Sequence, residues 1–166
     1  MGFSQDGETK NEAKTGEDRQ PCVLAIVRGL PHRCWKCARD ITCVIAIHTQ
    51  DWSHSEDWRW FHDKAVLVLA KQLVEAAGRL FLADTIKTRY SNTAGGSYLS
   101  NGCEHCDALQ GDWPLGEAVQ SWVEARPLCE LPILAAQLIS QSTWDQLAMR
   151  PSHKRIGYPV TWDQVR

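Results

Sequence analysis

The chain opens with some twenty polar residues of mixed charge and almost no large apolar side chain beyond Phe3. Such a stretch cannot bury enough surface to offset the entropy of ordering it, so residues 1–20 are expected to be a disordered tail. Order is expected from Pro21. Residues 23–27 are a short apolar run with β-branched members, a strand or its lead-in, and Pro31 is expected to turn the chain. Residues 41–47 are β-branched-rich and almost continuously apolar, which predicts a strand covered on both faces or paired centrally. Residues 48–62 read as a polar loop studded with aromatics.

A helical period follows. Lys64, Lys71, Gln72 and Glu75 fall on one side of residues 64–77, and Val66, Leu69, Leu73 and Ala77 on the other. Asp63 suits the N-cap and Gly78 the position after the last turn. Residues 80–82 are ambiguous between helix and strand. Gly95-Gly96 and Asn101-Gly102 are turn signals around a short hairpin arm, and Gly111-Asp112 suggests another turn. Beyond it the pattern reads as helical: 115–126, with Val119, Trp122 and Val123 on one side, then, after breaks at Pro127 and Pro132, an amphipathic 133–141. Thr143 and Gln146 have the spacing of a capping box. From Arg150 the chain is Pro- and Gly-punctuated and is expected to be a loosely packed tail. This divides the chain into a 1–20 tail, one domain over 21–149, and a 150–166 tail.

The length of 166 residues is enough for a self-sufficient core. The 43% hydrophobic and 23% charged fractions are those of an ordinary globular protein, and a net charge of −2 offers no global drive toward nucleic acid or anionic membrane. The start of the chain lacks a basic, apolar leader, and no apolar run approaches the roughly 20 residues of a spanning helix. A cytoplasmic location with no membrane association is therefore expected. Eight Trp against three Tyr and three Phe is high; core and interface packing is the expected use.

Seven cysteines, an odd number, include two tight pairs, Cys34-x-x-Cys37 and Cys103-x-x-Cys106. No disulfide framework is expected from this; an intracellular metal site with three spare thiols is. Cys22, Cys43 and Cys129 adjoin apolar runs and are expected to be buried. Two cysteines at i, i+3 on a tight turn aim both sulfurs at one point, so the two pairs suit one tetrahedral Zn²⁺. Sixty-five residues separate Cys37 from Cys103, where a single module has roughly 15–20. An inserted element accounts for the excess, and loop closure grows only slowly in cost with length. A residue able to adopt positive φ often follows the second cysteine. Asp107 does so readily, Ala38 poorly.

On these residues the chain resembles the zinc ribbons, in which two CxxC knuckles on β-hairpins grip one ion. The resemblance covers mainly residues 31–48 and 95–113. The stretch from Arg89-Tyr90-Ser91 to Gln110-Gly111-Asp112 is also similar to an uncharacterised bacterial group of such proteins. The resemblance implies that Cys34, Cys37, Cys103 and Cys106 are ligands. For role it implies only a choice among nucleic-acid binding, protein docking and scaffolding.

Other constellations compete. His54-Ser55-Glu56 upstream of Cys103-x-x-Cys106 has part of a zinc-deaminase signature, but it would leave Cys34 and Cys37 unused and lacks the proline before the second pair. Thioredoxin-like chemistry needs one CxxC at a helix start after a strand; here a strand follows the pair. His48, Asp51, His54 and Asp57 recur every three residues and would line a helix face able to bind a second metal; a solvated polar face is the preferred reading. Arg28, His32, Arg33, Lys36 and Arg39 cluster around the first knuckle, with a second basic stretch at 150–155. Arg33, Trp35, Lys36 and Arg39 are the candidate nucleic-acid contacts, although the acidic second knuckle (Glu104, Asp107 and Asp112) could neutralise them.

The expectation is an α+β zinc ribbon with an inserted helix and a C-terminal helical segment, holding one structural Zn²⁺. It would act as a binding module for a protein or nucleic-acid partner, with a small zinc enzyme or thiol redox protein as the alternative.

Overall fold

The computed structural model describes residues 21–51 and 58–150. Readings placed on 1–20, on 52–57 (His54, Glu56 and Asp57 among them) and on 151–166 lie outside the described residues.

Two long strands, Cys22–Arg33 (β1) and Asp40–Thr49 (β2), form an antiparallel hairpin with the first CxxC in its turn. β1 runs straight through Pro31, where the sequence suggested a turn. Bond direction explains why. The Gln50 amide donates to the Leu24 carbonyl, and the Gly29 amide donates to Pro132 on the opposite side. Even-numbered residues of β1 therefore bond toward β2 and odd-numbered residues away from it. Pro31 points to the side on which strand pairing ends at Arg28, so its missing N–H leaves no ladder bond unmade.

Arg59–Trp60 (β3) adds to the far edge of β2. After Lys64–Ala76 (α1), Leu80–Asp84 (α2), Lys87–Ser91 (β4), Gly96–Gly102 (β5), Leu109–Gln110 (β6) and Asp112–Ala125 (α3), Ile133–Ser140 (β7) returns beside β1. The first sheet is thus β3-β2-β1-β7 and the second β4-β5-β6, both antiparallel. β7 corrects the helix expected over 133–141. Its eight residues carry no charge and no internal Pro or Gly, so helical and strand periods fit almost equally. The outward backbone groups of β1 decide the matter by pairing with it from Cys22 to Arg28.

α1 begins where expected, with the Asp63 carboxylate accepting from the Ala65 amide at 2.9 Å. It ends in a Schellman motif: Gly78 has φ +77° and its amide donates to Glu75, while the Arg79 amide donates to Val74. Val66, Leu67, Ala70, Leu73 and Val74 are its buried face; Ala77 is exposed. α1 lies against β1, β2, β7 and β5. Residues 80–82 resolve as the short helix α2. α3 starts at Asp112, not 115, with Gly111 as N-cap and Pro114 in the first turn. Gln141–Ala148 (α4) is capped by Ser140, whose Oγ accepts from the Thr143 amide at 3.1 Å; Thr143 itself lies inside the helix. Trp58 and Trp144 are buried, whereas Trp35 and Trp113 are exposed.

Asn101 is not in a turn. It is buried at the end of β5, and its side chain clasps β2: Oδ1 accepts from the Val44 amide and Nδ2 donates to the Val44 carbonyl, both at 2.8 Å. This side-chain amide joins the two sheets as a short strand would.

Candidate metal centre

Each CxxC occupies the turn of an antiparallel hairpin, β1–β2 for Cys34 and Cys37 and β5–β6 for Cys103 and Cys106. The two turns are built alike. The Cys34 amide donates to Arg39 and the Cys103 amide to Ala108; the Ala38 amide donates to Cys34 and the Asp107 amide to Cys103, all at 2.9 Å. Ala38 and Asp107 share φ 57°. The first knuckle therefore holds an alanine in the left-handed region, at a cost of roughly 1–2 kcal/mol. Similar backbones come from dissimilar flanking sequences, which is why no repeat is visible in the chain.

The hairpins face each other. Cys34 Sγ stands 3.7 Å from Cys106 Sγ and Cys37 Sγ 3.6 Å from Cys103 Sγ. All four sulfurs lie within 4.8 Å of one another. Four sulfurs about 2.3 Å from one tetrahedral centre stand about 3.8 Å apart, so the spacing fits a Zn²⁺-sized ion. A disulfide would need about 2.05 Å, and none of the seven cysteines forms one. The long insertion is thus closed by Cys37 and Cys103 meeting across the hairpins.

Polar groups support the sulfurs. The His105 amide donates to Cys103 Sγ and Gln110 Nε2 to Cys34 Sγ, both at 3.4 Å. Burial pushes the Cys34 thiol up, but hydrogen bonds from the Cys37 and Lys36 amides and from neighbouring thiols outweigh it and bring it down. For Cys106 a bond from the Ala108 amide pulls down; burial and the other three sulfurs win and push it up. The four groups repel one another's charge, and a bound cation removes that obstacle.

The knuckles also brace each other crosswise. Trp35 Nε1 donates to the Leu109 carbonyl at 2.7 Å, and His105 Nε2 to the Asp40 carbonyl at 3.3 Å. Arg33 Nε donates to Ala38 O at 2.8 Å. The matching carbonyl on the other knuckle, Asp107 O, takes Arg89 Nε at 3.1 Å. Arg33 pairs with Asp40 where Gly102 pairs with Leu109. Gly102 thus occupies the arginine's place, and the Arg89 guanidinium fills the space that a Gly102 side chain would need. Sequence reasoning missed Asn101, Arg89 and Gln110; only the glycine before Cys103 hinted at a close approach.

Other expectations resolve as follows. Cys43 is buried, and burial, followed by repulsion from Cys103 and Cys34, pushes its thiol up to about 12. It is a protonated neighbour of the four sulfurs. Cys22 and Cys129 are exposed, not buried, because one opens a strand and the other sits in a surface 3-10 turn. Arg28 is no part of the knuckle surface. It is buried, donating from Nε to His48 Nε2 at 2.9 Å and from Nη1 to Leu131 O at 2.7 Å. His48, expected on a solvated face, is buried in β2 and stacked on Trp58 with centroids 4.4 Å apart. Its Nδ1 lies 2.8 Å from Thr49 O, so Nδ1 carries the proton while Nε2 accepts from Arg28. Asp51 is exposed. Arg33, Lys36 and Arg39 are exposed around Trp35, which is 67% exposed.

No family model matches this chain, no curated protein matches it in sequence, and no solved structure matches it.

Proposed function

We propose that the four cysteines hold one structural Zn²⁺ in a zinc-ribbon-type centre and that the protein is a binding module. The observation that carries this is the convergence of four sulfurs from the two hairpins, with separations of 3.6 and 3.7 Å across the knuckles. Four thiolates fill a tetrahedron and leave no position for a reacting water. A redox pair needs only Cys34 and Cys37, whereas the sulfurs also approach across the knuckles, Cys34 to Cys106 and Cys37 to Cys103, which favours a shared metal ion over thiol exchange. A reduced thiol set suits a reducing compartment, so we place the protein in the cytoplasm. No helix among the described residues is long and apolar enough to cross a membrane.

The surface best suited to a partner is the first knuckle, and the partner chemistry it fits is a nucleic-acid strand. Of the acids expected to neutralise it, Asp107 is engaged by Arg89 at 2.7 Å and Lys87 at 2.9 Å, and Asp112 by Lys64 at 2.6 Å. Glu104 Oε1 lies 3.5 Å from His105 Nε2, an ion pair only when that imidazole is protonated. Lys36 and Arg39 have no carboxylate within ion-pair distance among the described residues. The Trp35 ring, pinned by its N–H, presents an open face for a base.

Elemental analysis of purified protein is expected to find one zinc per chain, and a chelator is expected to unfold it. Folded, metal-free protein would overturn the structural reading. For the surface, salt-sensitive binding of a single-stranded oligonucleotide should be lost in Trp35→Ala/Lys36→Ala/Arg39→Ala with zinc content unchanged. No binding by the parent protein at low salt leaves protein docking as the role.

A further inference from the structure

β7 is the only long uncharged edge among the described strands. β3 and β6 are two residues long, and β4 carries Lys87 and Arg89. Short or charged edges resist pairing with another chain. β7 is eight residues, Ile-Leu-Ala-Ala-Gln-Leu-Ile-Ser, with no charge and no proline, and no described strand pairs with its outer side. Leu138 is 71% exposed and Ile133 50%.

We infer that the outer edge of β7 is a self-association surface, where two copies join their sheets antiparallel about a two-fold axis through Gln137. The bond directions allow it. Odd-numbered residues of β1 bond toward β7, and they pair Val23 with Ile139, Ala25 with Gln137 and Val27 with Ala135. Ala136 and Leu138 therefore send their N–H and C=O groups outward. The side chains select a second copy over another strand. About Gln137 the sequence is complementary to its own reverse, small opposite large: Ala136 meets Leu138 of the second copy, and Ala135 meets Ile139. Gln137 meets itself, amide to amide. No like charges oppose each other, and the joined sheet remains antiparallel throughout. Leu138 also extends an apolar strip through Leu24 and Ile26 to Ala136, which their register places on the same face.

The test is the mass in solution of the zinc-loaded full chain, by light scattering and sedimentation from low to high micromolar concentration. The expected result is twice the 18.7 kDa chain mass. Ala136→Pro, which removes an outward N–H, and Leu138→Lys should each give monomer with zinc content and circular dichroism retained. Phe81→Lys, on the exposed α2, should remain dimeric. Should the edge variants misfold, Gln137→Cys in a Cys22→Ser/Cys129→Ser background decides. Its Cα would face its copy across a non-hydrogen-bonded pair at about 4.5 Å, within disulfide reach. A crosslinked dimer supports the axis and its absence refutes it. A parent chain that stays monomeric, a dimer indifferent to both edge variants, or one dissolved by Phe81→Lys would each overturn the inference.

Discussion

Asn101→Ala removes the clasp between the two sheets. In the parent chain the Val44 amide and carbonyl are both fully buried and meet the two ends of one side-chain amide. Alanine offers neither partner. A buried donor or acceptor left unsatisfied costs about 1–3 kcal/mol, so two of them cost about 2–6 kcal/mol. Some water entry makes the lower half of that range the expectation, about 3 kcal/mol in urea unfolding at buffered zinc. The loss should reach the metal as well, since Asn101 sits two residues before Cys103 on the strand that delivers the second knuckle. Zinc affinity measured by chelator competition should fall together with stability. Ser100→Ala is the matched control: its hydroxyl is buried next door and has no partner, so its removal should be nearly neutral. A cost below about 1 kcal/mol for Asn101→Ala, or an equal cost for Ser100→Ala, would refute the clasp.

Four further outcomes are expected. Gly102→Ala should destabilise by about 2–3 kcal/mol, because the Arg89 guanidinium must leave the Thr85 and Ser100 carbonyls and Asp107; in an Arg89→Ala background most of that cost should vanish in a double-mutant cycle. Ala38→Gly should stabilise the zinc-loaded protein by about 1 kcal/mol in thermal unfolding, by relieving φ 57°, whereas Asp107→Gly should not, since it also discards the contacts to Arg89 and Lys87. Cys34→Ser should reduce bound zinc below one per chain and lower the unfolding temperature; an unchanged zinc content would count against four-sulfur ligation. Burial, and then the Arg28 charge, pulls the His48 imidazole down to about 4 from 6.5 against the lift of its bond to Thr49. The unfolded chain therefore binds the proton first as pH falls, and stability present above 6.5 is lost on the way to 4, by up to about 3 kcal/mol. Protonation of the four thiols and loss of any metal they hold would act in the same range, so the measurement is the difference in slope between parent and His48→Gln; identical slopes would contradict the buried neutral assignment.

The residues that could be read in the chain are those whose chemistry is local. Two CxxC pairs mark the four cysteines that cluster as a possible metal site because the spacing itself aims the sulfurs of each pair. Asp63 and Gly78 bracket α1 because capping is decided within a few residues, and the apolar density of 41–47 marks a strand covered on both sides. The rest depends on partners distant in sequence. Residues 133–140 have no strong local preference and become a strand because β1 presents unpaired backbone on that side. Pro31 stays in a strand because β7 ends before reaching it. His48 and Arg28, a polar loop and a basic patch when read in order, become one buried pair once the hairpin brings twenty residues' separation to 2.9 Å. Asn101 and Gly102 look like a turn, and are instead a clasp for Val44 and a berth for Arg89. Backbone torsion and ligand spacing are written over three or four residues and survive any context; which hydrogen-bonding groups find partners is settled only when remote segments meet.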